Sequence, residues 1–211
     1  MKYLLQLIFL TCVAQGFSQT GKIAYSHDYE FKEGVYLTLE QFLKNDPVPK
    51  SAFITSIPKN QLDFFTELLE AKTITYKDSA GKEIKIEPLS LWGYSQNRTV
   101  YLNFNKEFNR VNVIGTLFHF TAPIRVVSGY QDPMSYNYGI NSTHEELRQF
   151  IFNSQTNVIN EFTVKNMELV LKDDAELFAQ FEALKKRAKA DSIFIYLRKY
   201  NEKHPLYLPA N

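Results

Sequence analysis

Four histidines are the first candidates for chemistry in this sequence: His27, His119, His144 and His204. None of them lies three or four residues from another histidine or from a cysteine, which is the spacing that local metal-binding motifs use. The sequence therefore predicts neither a metal site nor a bound cofactor.

His119 is the one histidine with a catalytic hypothesis attached to it. It lies between Phe118 and Phe120 in a predicted strand, so alternation places its side chain on the face opposite to both rings. A general base needs a partner within hydrogen-bond reach, and the sequence names none. We interpret His119 as a surface or hydrogen-bonded residue and keep as an alternative a hydrolase in which the fold brings a carboxylate to it. The contiguous Ser26-His27-Asp28 is no triad, because adjacent side chains diverge.

Aromatic residues indicate a binding surface. Residues 129–142 are expected to form a long loop between two structured segments. The candidate contact residues in this loop are Tyr130, Asp132, Tyr136, Asn137 and Tyr138. Flat rings beside amide and carboxylate groups suit sugar faces with their hydroxyls, or an extended peptide. The sequence therefore favours a glycan, or a peptide or protein, as the partner, although tyrosines also anchor loops to sheets. Trp92, the one tryptophan, is expected in the core.

The N-terminus predicts export. Lys2 precedes an apolar run from Leu4 to Ala14, and small residues follow at Gly16 and Ser18. This arrangement is typical of a secretory signal peptide that is cleaved after residue 18. The run is shorter than the roughly 20 residues that an uncleaved anchor needs to span a bilayer. We therefore expect the mature chain in the periplasm, at the cell surface or in the medium, without a transmembrane segment.

Composition excludes several classes of function. Cys12 is the one cysteine and lies inside the predicted signal, so disulfides, thiolate catalysis and cysteine-ligated zinc are not expected after cleavage. The formal net charge of the chain is +1, and loss of Lys2 leaves equal numbers of acidic and basic residues. A chain without a basic excess lacks the electrostatic attraction on which nucleic-acid binding depends.

Apolar alternation predicts strand after strand through the middle of the chain. The predicted strands lie at 34–37, 52–57, 73–77, 83–87, 91–94, 99–104, 111–113, 118–120, 124–127, 148–153 and 158–162. A phase slip at Gly115 indicates a bulge or a tight bend. This density of strands favours an antiparallel meander that curls into a roll or an open barrel.

Helices are predicted where a side chain can cap a first turn. The expected N-terminal caps are Thr38, Asn60, Thr143, Thr163, Asp173-Asp174 and Asp191-Ser192. Most of these lie in the last third of the chain, which is therefore expected to be helical. The final helix is expected to stop at His204-Pro205, because proline cannot continue a helical hydrogen-bond ladder.

Four short motifs, spread over most of the mature chain, carry a resemblance. They are Gly34-Val35-Tyr36-Leu37-Thr38 with Glu40 and Phe42, Trp92-Gly93-Tyr94, Lys172-Asp173-Asp174 with Glu176-Leu177, and Tyr200-Asn201-Glu202-Lys203-His204-Pro205. In this order they resemble a group of uncharacterised secreted proteins from Bacteroidota-type bacteria. The resemblance implies secretion and a single architecture, and it supplies no catalytic residue.

These patterns predict an α+β fold in which a curved antiparallel sheet has short helices on its N-terminal side and a helical cap at its C-terminus. The expected divisions are a signal peptide at 1–18, a leader at 19–33, a mainly β domain with two short helices at 34–162 and the cap at 163–205. The leading hypothesis is a non-catalytic binding or envelope-associated protein of unknown function. The hydrolase and a structural subunit of a surface assembly are the alternatives.

Overall fold

The computed structural model describes residues 21–129 and 141–210. Its strands are β1 (Lys22–Ala24), β2 (Gly34–Tyr36), β3 (Phe53–Ile54), β4 (Ile74–Lys77), β5 (Glu83–Ile86), β6 (Gly93–Gln96), β7 (Thr99–Phe104), β8 (Glu107–Val113), β9 (Leu117–Gly129), β10 (Asn141–Asn153), β11 (Val158–Glu161) and β12 (Tyr207–Pro209). Its α-helices are α1 (Leu39–Leu43), α2 (Phe64–Leu69), α3 (Val164–Leu171), α4 (Ala175–Glu182) and α5 (Lys186–Lys203), and short 3-10 helices lie at Lys50–Ala52 and Pro88–Ser90.

Seven strands form one antiparallel sheet in the order β11-β10-β9-β8-β7-β6-β2. Trp92, immediately before β6, contacts Phe152 of β10 with ring centroids 6.2 Å apart. Three strands separate β6 from β10 in the sheet, so a flat sheet would hold these residues roughly 19 Å apart. The contact forms because the sheet curls into a half-barrel, with this face inside. The predicted α+β fold with a curved antiparallel sheet is therefore confirmed.

The concave face of the half-barrel holds an aromatic core. Alternate residues of the strands point into it, and α1 and the segment around β12 fill the remaining space. The buried rings of this core include Tyr36, Phe42, Phe118, Phe120, Phe150 and Phe152. Because Phe118 and Phe120 face inwards, the intervening His119 faces outwards, as the alternation predicts.

Two further clusters cover the convex face. One packs α2 and the small sheet β3-β4-β5 against the outer residues of β2, β6 and β7. The other packs α3, α4 and α5 against the outer residues of β9 and β10. The predicted hairpin at 73–77 and 83–87 is confirmed as β4 and β5, with Lys77 opposite Glu83.

The longest feature is a two-stranded arm, defined here as residues 121–129 and 141–149. β9 and β10 pair without interruption from Leu117↔Asn153 to Gly129↔Asn141. The predictions of a separate strand at 124–127 and of a helix beginning at Thr143 are therefore wrong. Continuous pairing with β9 satisfies the backbone of β10, and this overrides the local capping pattern around Thr143.

Three of the predicted helix caps are confirmed. The side chains of Thr38, Thr163 and Asp174 accept hydrogen bonds from the first turns of α1, α3 and α4. Asp191 and Ser192 lie inside α5 instead of starting it.

The predicted cap at Asn60 is wrong. α2 begins at Phe64, and Leu62 is 77% exposed. The amide of Phe65 in the first turn donates to the Gln96 side chain at 3.0 Å. A long-range partner from β6 therefore takes the place of a local cap.

The end of α5 is fastened to the sheet by one side-chain amide. Asn201 Nδ2 donates to the Leu117 carbonyl at 2.8 Å, and Asn201 Oδ1 accepts from the Leu117 amide at 2.8 Å. A β-carbon on Gly115 would collide with this amide. The turn between β8 and β9 therefore needs a glycine where α5 approaches it.

A second fastening joins the start of α4 to the end of α5. The Asp174 carboxylate contacts Lys203 Nζ at 2.8 Å and His204 Nε2 at 2.9 Å, and it also accepts from the Leu177 amide. The hydrogen bond from Lys203, with that from Leu177, holds the pKa of Asp174 well below its usual range. Asp174 and its partners therefore lock the helical cap while the carboxylate is ionised.

Replacing Asn201 tests the first fastening. We expect Asn201→Ala to leave the amide and the carbonyl of Leu117 without partners and to lower the free energy of unfolding by about 2 kcal/mol or more. Urea denaturation measures this loss. Glu202→Ala, at the exposed neighbouring position, is the control and should change stability by less than about 0.5 kcal/mol. Equal midpoints for the two variants would contradict the assignment.

Candidate ligand-binding cleft

An open cleft lies where the half-barrel fails to close. Its walls come from both edges of the seven-stranded sheet: Leu37, Thr38 and Leu39 follow β2, whereas Asn157 and Ile159 belong to the β10–β11 hairpin. The volume of the cleft is about 390 Å³, which falls within the range of small-molecule sites in proteins. This opening between β2 and β11, the two edges of the sheet, is the seam cleft, and it is large enough to hold a ligand.

Trp92 and Phe152 form the aromatic wall of this cleft. Trp92 is half-buried and packs on Phe42 with ring centroids 4.4 Å apart. Trp92 packs against the core, as expected. It also lines the cleft. Its indole Nε1 is buried and has no hydrogen-bond partner among the described residues, which is uncommon in folded proteins.

The backbone around Trp92 is held firmly. The amide of Trp92 donates to the Tyr36 carbonyl at 3.1 Å, and the carbonyl of Trp92 accepts from the Asn103 amide at 2.9 Å. The Asn103 side chain also donates to the carbonyls of Leu89 and Leu91. A β-carbon on Gly93 would collide with the Tyr101 carbonyl, so the glycine after Trp92 allows β6 and β7 to pair.

The polar groups of the cleft are amides and hydroxyls. Asn103 and Asn157 supply amides, and Thr38 and Ser90 supply hydroxyls. Asn157 has a φ of 57°, a left-handed conformation that asparagine tolerates better than most residues. The remaining lining residues are Leu37, Leu39, Leu91, Leu102 and Ile159. Every lining residue is therefore uncharged, which makes the cleft suitable for a neutral ligand that is part apolar and part polar.

Sequence reasoning missed this cleft because its polar residues come from four separate segments of the chain. Only folding brings Thr38, Ser90, Asn103 and Asn157 together. The available signal was Trp92, a lone tryptophan followed by the glycine of a predicted strand. The ligand-binding residues that were predicted, namely Tyr130, Asp132, Tyr136, Asn137 and Tyr138, lie outside the described residues.

His119 lies away from the cleft, beneath the helical cap. It is 4% exposed, and its ring contacts those of Phe162 and Phe194 at centroid distances of 5.0 and 4.8 Å. Its Nε2 pairs with the Gln149 side-chain oxygen at 3.0 Å, while Nδ1 has no partner among the described residues. Burial lowers the pKa of His119, although the hydrogen bond to Gln149 opposes this effect. The partner of His119 is thus an amide, whereas the hydrolase hypothesis asks for a carboxylate.

Other histidines do contact carboxylates. His204 meets Asp174 at 2.9 Å in the fastening between α4 and α5, and His144 meets Glu146 at 2.9 Å on the arm. His27 also contacts Asp28 at 3.1 Å on the exposed surface, so the expectation that these adjacent side chains diverge is wrong. None of the three pairs lines the cleft. In residues 21–129 and 141–210, no group of three or more histidine, cysteine, aspartate or glutamate side chains has an arrangement that could hold a metal ion.

A family model matches residues 34–204, a span that runs from β2 to the end of α5 and includes every residue of the cleft. The chain belongs to DUF6563, a family of unknown function. This membership confirms the resemblance to uncharacterised proteins and supplies no catalytic or specific role for DUF6563. No curated protein and no solved structure matches the chain. Across the described part of this DUF6563 chain, no helix combines the length and apolar character needed to cross a membrane.

The buried, neutral His119 predicts how stability depends on pH. Its pKa is lowered by folding from the model-peptide value of 6.5, so near that pH the unfolded chain binds a proton that the folded chain does not. The stability contributed by neutral His119 is therefore present above pH 6.5 and is lost as pH falls towards the folded pKa, at no more than about 1.4 kcal/mol per pH unit.

Chemical denaturation between pH 5 and pH 8 measures this effect. We expect His119→Phe to remove part of the pH dependence in that range, because phenylalanine cannot bind a proton. His27→Phe, at an exposed position, is the control and should follow the wild-type curve. Parallel curves for wild type and His119→Phe would show that His119 does not carry this proton linkage.

Proposed function

We propose that this chain is an exported, non-catalytic binding protein of Bacteroidota-type bacteria, and that the seam cleft binds a neutral glycan. The observation that carries the proposal is the uncharged lining, in which Trp92 and Phe152 stand beside the amides of Asn103 and Asn157. Sugar rings have apolar C–H faces that pack on aromatic rings, and hydroxyls that pair with amides. A charged ligand would find no counter-charge in this lining.

The export part of the proposal rests on the N-terminal sequence. A basic start, a short apolar run and small residues at Gly16 and Ser18 support a cleaved signal. The stability of the described fold is compatible with such an address, because the three hydrophobic clusters contain no cysteine and need no disulfide. Periplasm, cell surface and medium are equally consistent with this proposal.

We propose a second contact surface at residues 130–140, the tyrosine segment. The last described pair of the arm is Gly129↔Asn141, so residues 130–140 connect the far ends of β9 and β10. Tyr130, Tyr136 and Tyr138, with Asp132 and Asn137, remain the predicted contact residues for a glycan or for an extended peptide.

Ligand binding to the cleft can be followed by the fluorescence of Trp92, because it is the one tryptophan of the chain. Titration with the neutral oligosaccharides that score highest on a glycan array should shift or quench its fluorescence in a saturable manner. Asn157→Gly keeps the left-handed backbone and removes the amide, so we expect affinity to fall by about three- to tenfold.

Asn105→Gly is the matched control. Asn105 also has a left-handed conformation, with a φ of 55°, but it lies in the β7–β8 turn, outside the seam cleft. Its replacement should leave affinity unchanged. Equal losses in both variants, or a Trp92 signal that no neutral glycan moves, would contradict the assignment of the cleft.

Replacing Tyr130, Tyr136 and Tyr138 together by alanine tests the second surface. We expect capture of a glycan or of a peptide library to drop at least tenfold while the Trp92 titration is unchanged, because the two surfaces use separate residues. Array binding or peptide pulldown measures capture. Unaltered capture by the triple variant would count against the tyrosine segment.

A further inference from the structure

Among the described residues, the outer edge of β10 has no partner strand along the arm. β10 pairs with β9 over its whole length, but it pairs with β11 only from Phe150↔Glu161 to Asn153↔Val158. The described residues therefore place no strand beside residues 141–148 on the side opposite β9. An open strand edge presents unpaired amides and carbonyls and is a template for adding another strand.

The direction of the backbone groups follows from one hydrogen bond. The Gln149 carbonyl accepts from the Phe162 amide at 2.7 Å, on the β11 side. Backbone groups alternate sides along a strand. Leu147, Glu145 and Thr143 therefore direct their amides and carbonyls towards the open edge, whereas the groups of His144 and Glu146 point to β9.

The residues of this edge are complementary to themselves. Antiparallel pairing of two copies about a twofold axis at Glu145 places His144 of each copy opposite Glu146 of the other. It also places each Thr143 opposite the other Leu147. Glu146 also contacts His144 and Arg148 of its own copy at 2.9 and 3.0 Å, so the second copy's His144 joins an existing polar cluster, and its Thr143 lies beside Leu147.

Alignments shifted towards Gln149 are worse. Moving the axis to Glu146 would place Thr143 of each copy opposite Gln149 of the other, and the Gln149 carbonyl already accepts from the Phe162 amide. Moving the axis further brings the second copy against Phe162 itself. The alignment about Glu145 avoids this conflict and places the two Glu145 residues opposite each other.

The exposed faces of the arm suit the same arrangement. Leu147 is 78% exposed, and the pairing covers it on one side with Thr143 of the second copy. The two Glu145 residues meet at the axis, where each has Arg125 of its own copy as an ion-pair partner at 3.5 Å. The one leucine of the arm therefore gains a neighbour from the second copy, and Glu145 keeps Arg125 of its own copy.

We propose that the chain forms a symmetric dimer through the open edge of β10, so that the two arms join in one continuous four-stranded sheet. The second copy adds about six backbone hydrogen bonds from Thr143, Glu145 and Leu147, and the Gln149 carbonyl, already bonded to the Phe162 amide, limits the alignment. The dimer is independent of the ligand proposed for the seam cleft, because residues 143–147 of β10 do not line the cleft.

Sedimentation equilibrium of the exported chain tests the dimer. Wild type should have twice the monomer mass, and Leu147→Pro should be a monomer, because proline removes an amide that points to the open edge while leaving the bonds to β9. Leu147→Thr keeps that amide and should remain a dimer. Circular dichroism and the Trp92 emission spectrum verify that both variants are folded.

Crosslinking provides a second readout. In a Cys12→Ser background, Glu145→Cys should form an interchain disulfide on mild oxidation, since residues directly opposite in a hydrogen-bonded antiparallel pair have α-carbons about 5.5 Å apart. Glu83→Cys, at an exposed position on β5, is the control. A wild-type monomer up to the solubility limit, a Leu147→Pro dimer, or equal crosslinking of the two cysteine variants would overturn the proposal.

Discussion

The contact between aromatic rings across the curled sheet is the interaction on which the structure depends. Trp92, immediately before β6, and Phe152 of β10 would lie far apart in a flat sheet, and Phe42 of α1 packs on Trp92. Phe118 contacts both Phe42 and Phe152. Burial of each ring contributes roughly 1.5–3 kcal/mol, so the half-barrel is held by many such contributions without any covalent crosslink.

Two sets of polar contacts hold the helical cap in place, and both include residues of the motifs near the C-terminus. Asp174 meets Lys203 and His204, and Asn201 pairs with the backbone of Leu117 at the start of β9. Residues from separate short motifs therefore contact each other in the folded protein.

This half-barrel has two structural features that a closed barrel would lack. Its seam remains open between the edges formed by β2 and β11, and the seam becomes a cleft with an uncharged lining. Its longest strands also outrun their neighbours, because β11 covers four residues of β10 whereas β9 covers all of them. The cleft therefore comes from incomplete closure of the sheet, whereas the edge of β10 that is unpaired among the described residues comes from the shortness of β11.

The sequence by itself determined the local elements: the caps at Thr38, Thr163 and Asp174, and the strand phase that sends Phe118 inwards and His119 outwards. These features depend on residues a few positions apart, so spacing is enough to predict them. Tertiary structure alone decided where long-range partners replace local ones. The Gln96 side chain, and not Asn60, accepts a backbone hydrogen bond from the first turn of α2. The segment around Thr143 has the capping pattern of a helix, but pairing with β9 makes it a strand. The same limit applies to the cleft, whose residues become neighbours only when the sheet curls, because they belong to segments that are far apart in the chain.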